Sequence, residues 1–237
     1  MKSIWRAFTQ FLIEIRSDFM LAACLLTPVL MGLLYKFVIP VLEEVLTKKF
    51  TMVQVITPYY RLLDLLILVL TSIMFAFAGI MVVLGEIDNG TAKYLIVTPL
   101  GKKGYLMSRI GIPMIISVIY GTANALIFKL SDITIIMILI CSILSSLMSI
   151  TISLLVISLA KNKLEGMALT KLSGFFIIGL PAAFLVTSPI GYSIGILPSF
   201  WLGKFTITTN WIYIIPYLVI SILWIGPLYR KFLVKLF

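Results

Sequence analysis

The chain has 237 residues, of which 61% are hydrophobic and 12% are charged, and its formal net charge at pH 7 is +10. Soluble globular domains carry about a quarter charged residues, so this composition excludes an ordinary soluble domain. The excess of positive charge does not indicate a nucleic-acid site, because the Lys and Arg residues fall between long apolar runs in a pattern that sets membrane topology.

Residues 1–18 have their hydrophobic side chains at spacings of three and four, with the charged side chains on the remaining positions. This pattern predicts an amphipathic helix that lies in the cytoplasmic membrane interface, with Trp5 at headgroup depth. The alternative is that these residues form no surface helix and serve only to set the orientation of the chain in the membrane.

Six apolar runs follow, and about 20 apolar residues are enough to cross a bilayer as a helix. A helix satisfies its own backbone polar groups in lipid, so we expect a single all-α polytopic membrane domain over residues 1–237. Residues 40–60, between the first two spans, are expected to form a short helix on the outer surface. The predicted spans are residues 19–39, 61–86, 105–129, 133–160, 166–187 and 209–230.

The distribution of positive charge predicts the orientation of these spans. With the N-terminus placed in the cytoplasm, 13 of the 19 Lys and Arg residues fall on the cytoplasmic side and six on the outer side. This asymmetry follows the positive-inside rule and places both termini in the cytoplasm.

Two polar features lie at or within the predicted spans. Arg61 and Asp64 open the second span three residues apart, a spacing at which they can pair on one helix face. Asn124 is the most polar side chain well inside any span. A buried amide in a membrane helix usually hydrogen-bonds another helix; a contact with a transported substrate is the alternative.

The longest water-compatible stretch between two spans, residues 87–104, is expected to form a short helix beginning at Thr91. Asp88 or Asn89 can supply the N-cap oxygen, and Gly90 permits a sharp turn. Pro99 should end the helix, because it disfavours helical geometry at the preceding residue. A basic turn at residues 101–104 then leads into the third span.

Tyr94 and Leu95 lie beside each other on this helix, and Leu100 follows just past its end. We expect exposed apolar side chains of this kind to be buried against another protein or against the membrane surface. A plain solvated loop is the alternative.

The fifth apolar run is longer than one crossing needs and is interrupted by Gly and Pro residues. We expect one span followed by a broken segment, residues 189–204, that returns to the outer face without crossing. Irregular backbone is tolerated at membrane depth only when it is buried in protein or lines a cavity.

No motif that carries chemistry is present. The chain has no histidine, its two cysteines are far apart, and it contains no phosphate-binding GxxxxGK(S/T) loop. No carboxylate lies at the middle of a span, which argues against a proton-coupled secondary carrier. We therefore expect no catalytic residue, no metal site and no cofactor bound by this chain.

Two strings resemble a known family. Residues 85–106, GEIDNGTAKYLIVTPLGKKGYL, resemble the acidic-x-acidic-x-Gly-Thr, Thr-Pro-Leu and Tyr-Leu signature of ABC-2 type transporter permeases. Residues 160–171, AKNKLEGMALTK, are similar to a string in permeases of fluoroquinolone or multidrug export. In that family the first stretch is the cytoplasmic coupling segment, which docks on a separate ATPase that binds ATP and Mg²⁺. The resemblance also implies an elbow helix at residues 1–18 and an outer re-entrant hairpin before the last span, as in type V exporters.

By this resemblance the chain is the membrane subunit of a bacterial ABC exporter in the cytoplasmic membrane, working with ATPase subunits and with a second copy or a related permease. Its substrate is expected to be amphiphilic. A non-transport membrane scaffold and a secondary carrier are the alternatives. Pro198 and Trp201 match the Pro-x-x-Trp pattern of the hairpin and join Asn124 as candidate pathway residues. The candidate contacts with the ATPase are Glu86, Asp88, Gly90, Thr91, Tyr94, Leu95, Thr98, Pro99, Leu100, Lys163 and Glu165.

Overall fold

The computed structural model describes residues 2–50, 53–186 and 189–236, and over these residues it is helical with no strand. Three short 3₁₀ turns, at Thr57–Tyr59, Pro189–Ile196 and Trp211–Tyr213, and one π-helical turn, at Met107–Gly111, connect the α-helices. The α-helices of the described part are α1 (Lys2–Ser17), α2 (Phe19–Phe50), α3 (Tyr60–Asp88), α4 (Thr91–Val97), α5 (Gly101–Leu106), α6 (Ile112–Phe128), α7 (Ile135–Leu159), α8 (Lys163–Thr170), α9 (Ser173–Leu185), α10 (Pro198–Thr208) and α11 (Ile214–Leu236).

Within the part of the chain that the structure describes, six helical segments are long and apolar enough to cross a membrane. This confirms the prediction of an all-helical polytopic membrane protein with six spans. The segments are Phe19–Phe50, Thr57–Asp88, Gly101–Phe128, Ile135–Leu159, Lys163–Leu185 and Trp211–Lys235.

Helix α3 is the centre of the bundle. In its most apolar stretch 78% of the residues are buried, against 11% in the last span and 17% in the first. It packs against α2, α6, α7 and α10, and at its far end against α4 and α8. The outer faces of α2 and α11 are apolar and exposed, as expected of helices whose solvent is lipid.

Helix α2 continues to Phe50, so the separate outer helix expected within residues 40–60 is wrong. The extension is tied to the loop that follows it. The carboxylate of Glu43 accepts hydrogen bonds from the backbone N–H groups of Val55 (2.9 Å) and Ile56 (2.6 Å), and from the Thr57 hydroxyl (2.9 Å). These bonds fold the loop back onto the last turns of α2 and hold the helix intact.

The ion pair expected between Arg61 and Asp64 is also wrong. The buried Asp64 carboxylate instead accepts hydrogen bonds from the backbone N–H groups of Leu130 (2.8 Å) and Ser131 (2.9 Å), and from the Ser131 hydroxyl (2.5 Å). These donors lie in the loop between α6 and α7. Asp64 therefore fastens that loop to the start of α3.

Three span boundaries also differ from the prediction. The turn expected at residues 101–104 is the first turn of α5. The predicted fifth span, residues 166–187, consists of α8 and α9 with a break at residues 171–172, and residue 187 lies outside the described part. The predicted last span, residues 209–230, begins as a helix at Ile214 and runs on to Leu236. These differences leave the number of spans unchanged.

Helices α9 and α10 form a tight antiparallel pair before the last span. A Cβ atom added to Gly179 would lie 2.3 Å from the Ser199 Oγ, and one added to Gly203 would lie 2.6 Å from the Ala183 Cβ. The 11 residues of α10 extend only about 16 Å at 1.5 Å per residue, short of a hydrocarbon core of about 30 Å. The predicted hairpin at residues 189–204 therefore has the right length to turn back, and its depth in the membrane stays a prediction.

Candidate functional site

The predicted coupling helix is present as α4, at the end of the bundle where α3 stops. Gly90 joins the two helices in the left-handed conformation, with φ of 72°, which residues with a side chain rarely adopt. The Thr91 hydroxyl donates to the Glu86 carbonyl (3.2 Å) and ties the first turn of α4 back to α3. Helix α4 ends at Val97 and Thr98 is extended before Pro99, so the predicted effect of the proline is confirmed.

The N-cap predicted from Asp88 or Asn89 is wrong, because no side chain caps α4. The Asp88 carboxylate instead accepts a hydrogen bond from the backbone N–H of Lys163 (2.7 Å), at the start of α8. Asp88 thus joins the two loops at this end of the bundle, which are 75 residues apart in the sequence.

The apolar face of α4 differs from the one expected. Tyr94 and Val97 point outward, with 73% and 82% of their surface exposed. Leu95 is half-buried against the hydrophobic core, and Leu100 is buried. Leu95 and Leu100 therefore hold α4 to the body of the protein, and the outward pair is Tyr94 with Val97, three residues apart on one helix face.

A buried ion pair lies directly beneath α4. The Glu86 carboxylate accepts hydrogen bonds from the Tyr105 hydroxyl (2.8 Å) and from the Arg109 Nε (3.0 Å), and it also contacts the Arg109 Nη2. Arg109 is 1% exposed and Glu86 is 6% exposed. A fully desolvated guanidinium requires such a partner, because an unpaired buried charge is very costly.

Arg109 also reaches the N-terminal helix. Its Nη1 donates to the Ala7 carbonyl in α1, and its guanidinium lies 5.9 Å from the centre of the Phe11 ring. The arginine sits in the π-helical turn Met107–Gly111 that leads into α6. The Arg109 guanidinium therefore joins α1, α3 and the start of α6. We call the set of Glu86, Tyr105 and Arg109 the buried base of the site.

Burial changes how two of the predicted contact residues are interpreted. Glu86 and Leu100 are both buried, so Glu86 is a positioning residue for α4, and the contact with a partner protein stays a prediction for both. The sequence analysis missed Arg109 in this role. The available signal was an arginine at the start of a strongly apolar run, together with an acidic residue at the end of the preceding span.

The second loop presents α8 beside α4. The Asn162 side chain accepts from the Glu165 backbone N–H (2.8 Å) and caps α8, while the Glu165 carboxylate accepts from the Lys161 N–H (2.8 Å). The Lys163 ammonium lies 3.4 Å from the Asp18 carboxylate at the junction of α1 and α2. Lys163 and Glu165 are thus at the same end of the molecule as α4, as the sequence analysis expected.

A groove of about 390 Å³ separates α1 from the coupling segment. Arg6 and Gln10 of α1 line one side, and Leu95, Thr98 and Pro99 line the other. Thr98 and Pro99 are exposed. This end of the bundle therefore offers a cleft with a basic side chain, next to the outward face of α4.

The three candidate pathway residues lie in two elements, Asn124 in α6 and both Pro198 and Trp201 in α10. The buried Asn124 amide donates from α6 to the Pro28 carbonyl of α2 (2.9 Å), which confirms the predicted hydrogen bond between helices. Its Oδ1 has no hydrogen-bond partner among the described residues. Pro198 begins α10, and the Trp201 indole N–H donates to the Gly195 carbonyl (2.6 Å) within the hairpin. A role in substrate contact stays a prediction for all three.

Comparison with known proteins gives a consistent result. The sequence matches, over residues 11–229, the family model described as "Fluoroquinolones export permease protein Rv2686c-like". Two relatives from Mycobacterium tuberculosis, the fluoroquinolones export permease proteins MT2760 (strain CDC 1551 / Oshkosh) and Rv2686c (strain ATCC 25618 / H37Rv), are each 28% identical over 226 residues, covering 92% of this chain and 89% of the relative. No solved structure matches. The matched region contains both strings that indicated an export permease.

Proposed function

The chain belongs to the family of Rv2686c-like fluoroquinolones export permease proteins, and on this premise we propose that it is the membrane permease subunit of a bacterial ABC exporter. It forms the translocation pathway, together with a second copy or a related permease. Separate ATPase subunits bind ATP and Mg²⁺ and supply the energy.

The outward face of α4 carries this proposal. Tyr94 and Val97 are the exposed apolar side chains of a helix whose other face is packed against the protein. Burying one such side chain against a partner contributes about 1.5–3 kcal/mol, and a few anchors of this kind dominate a typical interface. The ATPase is the partner that would cover them, with Lys163 and Glu165 of α8 at the edge of the contact.

The buried base gives the contact a rigid support. A movement of α4 would displace α3, because Gly90 joins the two helices and the Thr91 hydroxyl bonds to the Glu86 carbonyl. A displacement of Glu86 would in turn move α1 and α6, because Arg109 contacts Glu86 and the Ala7 carbonyl. Closure of the ATPase subunits would therefore tilt several spans together, which is how rigid-body transitions amplify a local displacement.

The substrate of this exporter is an amphiphile of the fluoroquinolone class. Its relatives carry that substrate in their names, and the spans contain few charged side chains. A cavity of about 290 Å³ between α2, α3, α7 and α9, lined by Cys24, Phe77 and Ile152 with Lys171 at its edge, suits an apolar ring system with an anionic group. This volume is close to the lower end of the range of ligand pockets, about 300–1,000 Å³.

The test is a pair of valine substitutions at opposite ends of the bundle. Val97→Asp places a charge in the proposed contact, whereas Val53→Asp places one at the other end of α3 on a side chain that is 93% exposed. Each variant is measured for membrane level, co-purification of a P-loop ATPase and cellular accumulation of a fluoroquinolone.

We expect Val97→Asp to lose the ATPase and to restore drug accumulation at a normal membrane level, with Val53→Asp behaving as the unmodified protein. A protein that exports the drug with no ATPase bound would be a secondary carrier. One that neither binds an ATPase nor changes drug accumulation would be a scaffold. Either result would contradict the proposal.

A further inference from the structure

A second cavity lies at the end of the bundle opposite α4. It measures about 280 Å³ and is enclosed by the start of α3, the loop between α6 and α7, the first turns of α7 and the end of α10. The orientation predicted from the distribution of Lys and Arg puts this end on the outer side of the membrane. The cavity is therefore remote from both the coupling segment and the groove beside α1.

Two opposite charges line this cavity. Arg61 and Asp132 are both exposed at it. Among the residues that the structure describes, neither forms an ion pair with the other or with a third side chain. A guanidinium suits the oxygens of a phosphate group, and a carboxylate accepts hydrogen bonds from an ammonium group. The charges thus complement a ligand that carries one group of each kind.

The rest of the lining is apolar and aromatic. Ile136 and Ile140 of α7 form one wall, and Phe205 of α10 packs edge-on against Trp211, with ring centres 6.0 Å apart. Ile136 and Trp211 are 67% and 62% exposed. Exposed Trp beside apolar helix surface is typical of the membrane–water interface. The cavity consequently opens at the depth at which lipid headgroups lie.

We propose that this cavity binds a phospholipid whose headgroup contains a phosphate and a primary ammonium, as phosphatidylethanolamine does. Arg61 donates to the phosphate oxygens and Asp132 accepts from the ammonium. The acyl chains run along Ile136 and Ile140, and the Trp211 ring lies against the glycerol region. This lipid would fill the gap between α3, α7 and α10, which come together at the outer hairpin.

The experiment uses the full chain, purified in detergent and stripped of lipid. Retention of phosphatidylethanolamine and of phosphatidylglycerol, which has the phosphate but no ammonium, is measured by native mass spectrometry. The variants are Arg61→Gln and Asp132→Asn. Lys48→Gln is the control, since Lys48 belongs to an exposed ion pair with Glu44 at the same end of the protein. Thermal unfolding of each variant in lipid-free detergent establishes that it is folded.

We expect the unmodified chain to prefer phosphatidylethanolamine about tenfold, which is equivalent to about 1.4 kcal/mol. Asp132→Asn should remove this preference while phosphate-dependent binding remains, Arg61→Gln should weaken both lipids, and Lys48→Gln should change neither. Equal retention of the two lipids by the unmodified chain overturns the proposal, as does an unchanged Arg61→Gln variant. Binding of a zwitterionic fluoroquinolone that depends on Arg61, without binding of phosphatidylethanolamine, would assign the cavity to the exported drug and also overturn it.

Discussion

The Glu86 carboxylate accepts hydrogen bonds from Tyr105 and Arg109 at a point where almost no solvent reaches it. The three side chains come from the end of one span and the start of the next, so the geometry of the loop between them depends on this contact. Arg109 adds a hydrogen bond to α1. The residues of the buried base therefore set the position of α4 without being part of its surface.

We expect Glu86→Gln to lower the free energy of unfolding by about 3–5 kcal/mol, because it leaves the buried Arg109 charge uncompensated. Tyr105→Phe removes one hydrogen bond to a charged group and should cost about 1.5–3 kcal/mol. The measurement is unfolding of the purified protein in detergent.

The control for this comparison is Lys48→Gln. It breaks an ion pair whose side chains are 74% and 67% exposed, and exposed pairs contribute little to stability because solvent screens them. If Glu86→Gln were as mild as Lys48→Gln, the buried base would not support the site as described.

At the scale of elements, the close contact between α9 and α10 determines how this pair of helices packs before the last span. Gly179→Ala would place a Cβ atom 2.3 Å from the Ser199 Oγ and 2.6 Å from the Phe200 backbone N. The two helices must then separate, and overpacking of this kind costs about 1–3 kcal/mol. We expect a lower unfolding temperature and a lower membrane level.

Gly174→Ala is the matched control for Gly179→Ala, because Gly174 lies on the same helix and nothing is within 4 Å of the added Cβ. Alanine is favoured over glycine within a helix by about 0.5–1 kcal/mol, so this variant should be neutral or slightly more stable. Equal effects of the two substitutions would mean that α9 and α10 do not pack as described.

The elements of this fold were largely predictable because their signals are local. Long apolar runs set the number of spans, and Pro99 ended α4 because a proline constrains the residue that precedes it. The extension of α2 to Phe50 was missed, since its support comes from the loop that folds back onto Glu43. The hairpin before the last span was expected from Gly and Pro breaks in an overlong run.

The site was less predictable, because its contacts join residues that are distant in the sequence. Asp88 looked like a cap for the helix that follows it, yet it bonds Lys163 of the second loop. Asp64 looked like a partner for Arg61, yet it holds the loop after α6. The spacing of apolar residues in α4 did not reveal which of Leu95 and Val97 faces the core, because this depends on where α1 and α5 pack.

At the scale of the whole molecule, the orientation of the protein in the membrane determines which partner proteins α4 can contact. The 13 to six division of basic residues predicts that α4 and both termini are cytoplasmic. We expect a reporter inserted near Lys102, or fused after residue 237, to indicate the cytoplasm, and one near Lys48 to indicate the outside. An outside signal near Lys102 would remove α4 from the reach of any ATPase.

The central claim is that the outward face of α4 contacts an ATPase subunit, and photo-crosslinking in intact cells tests it most directly. A photoreactive amino acid replaces Tyr94, and in a second protein it replaces Val53, which is also exposed but lies at the other end of the bundle. Crosslinked products are identified by mass spectrometry. The account predicts that the probe at position 94 captures a P-loop ATPase and that the probe at position 53 does not. Capture of no ATPase from position 94, in cells that export the drug, would contradict it.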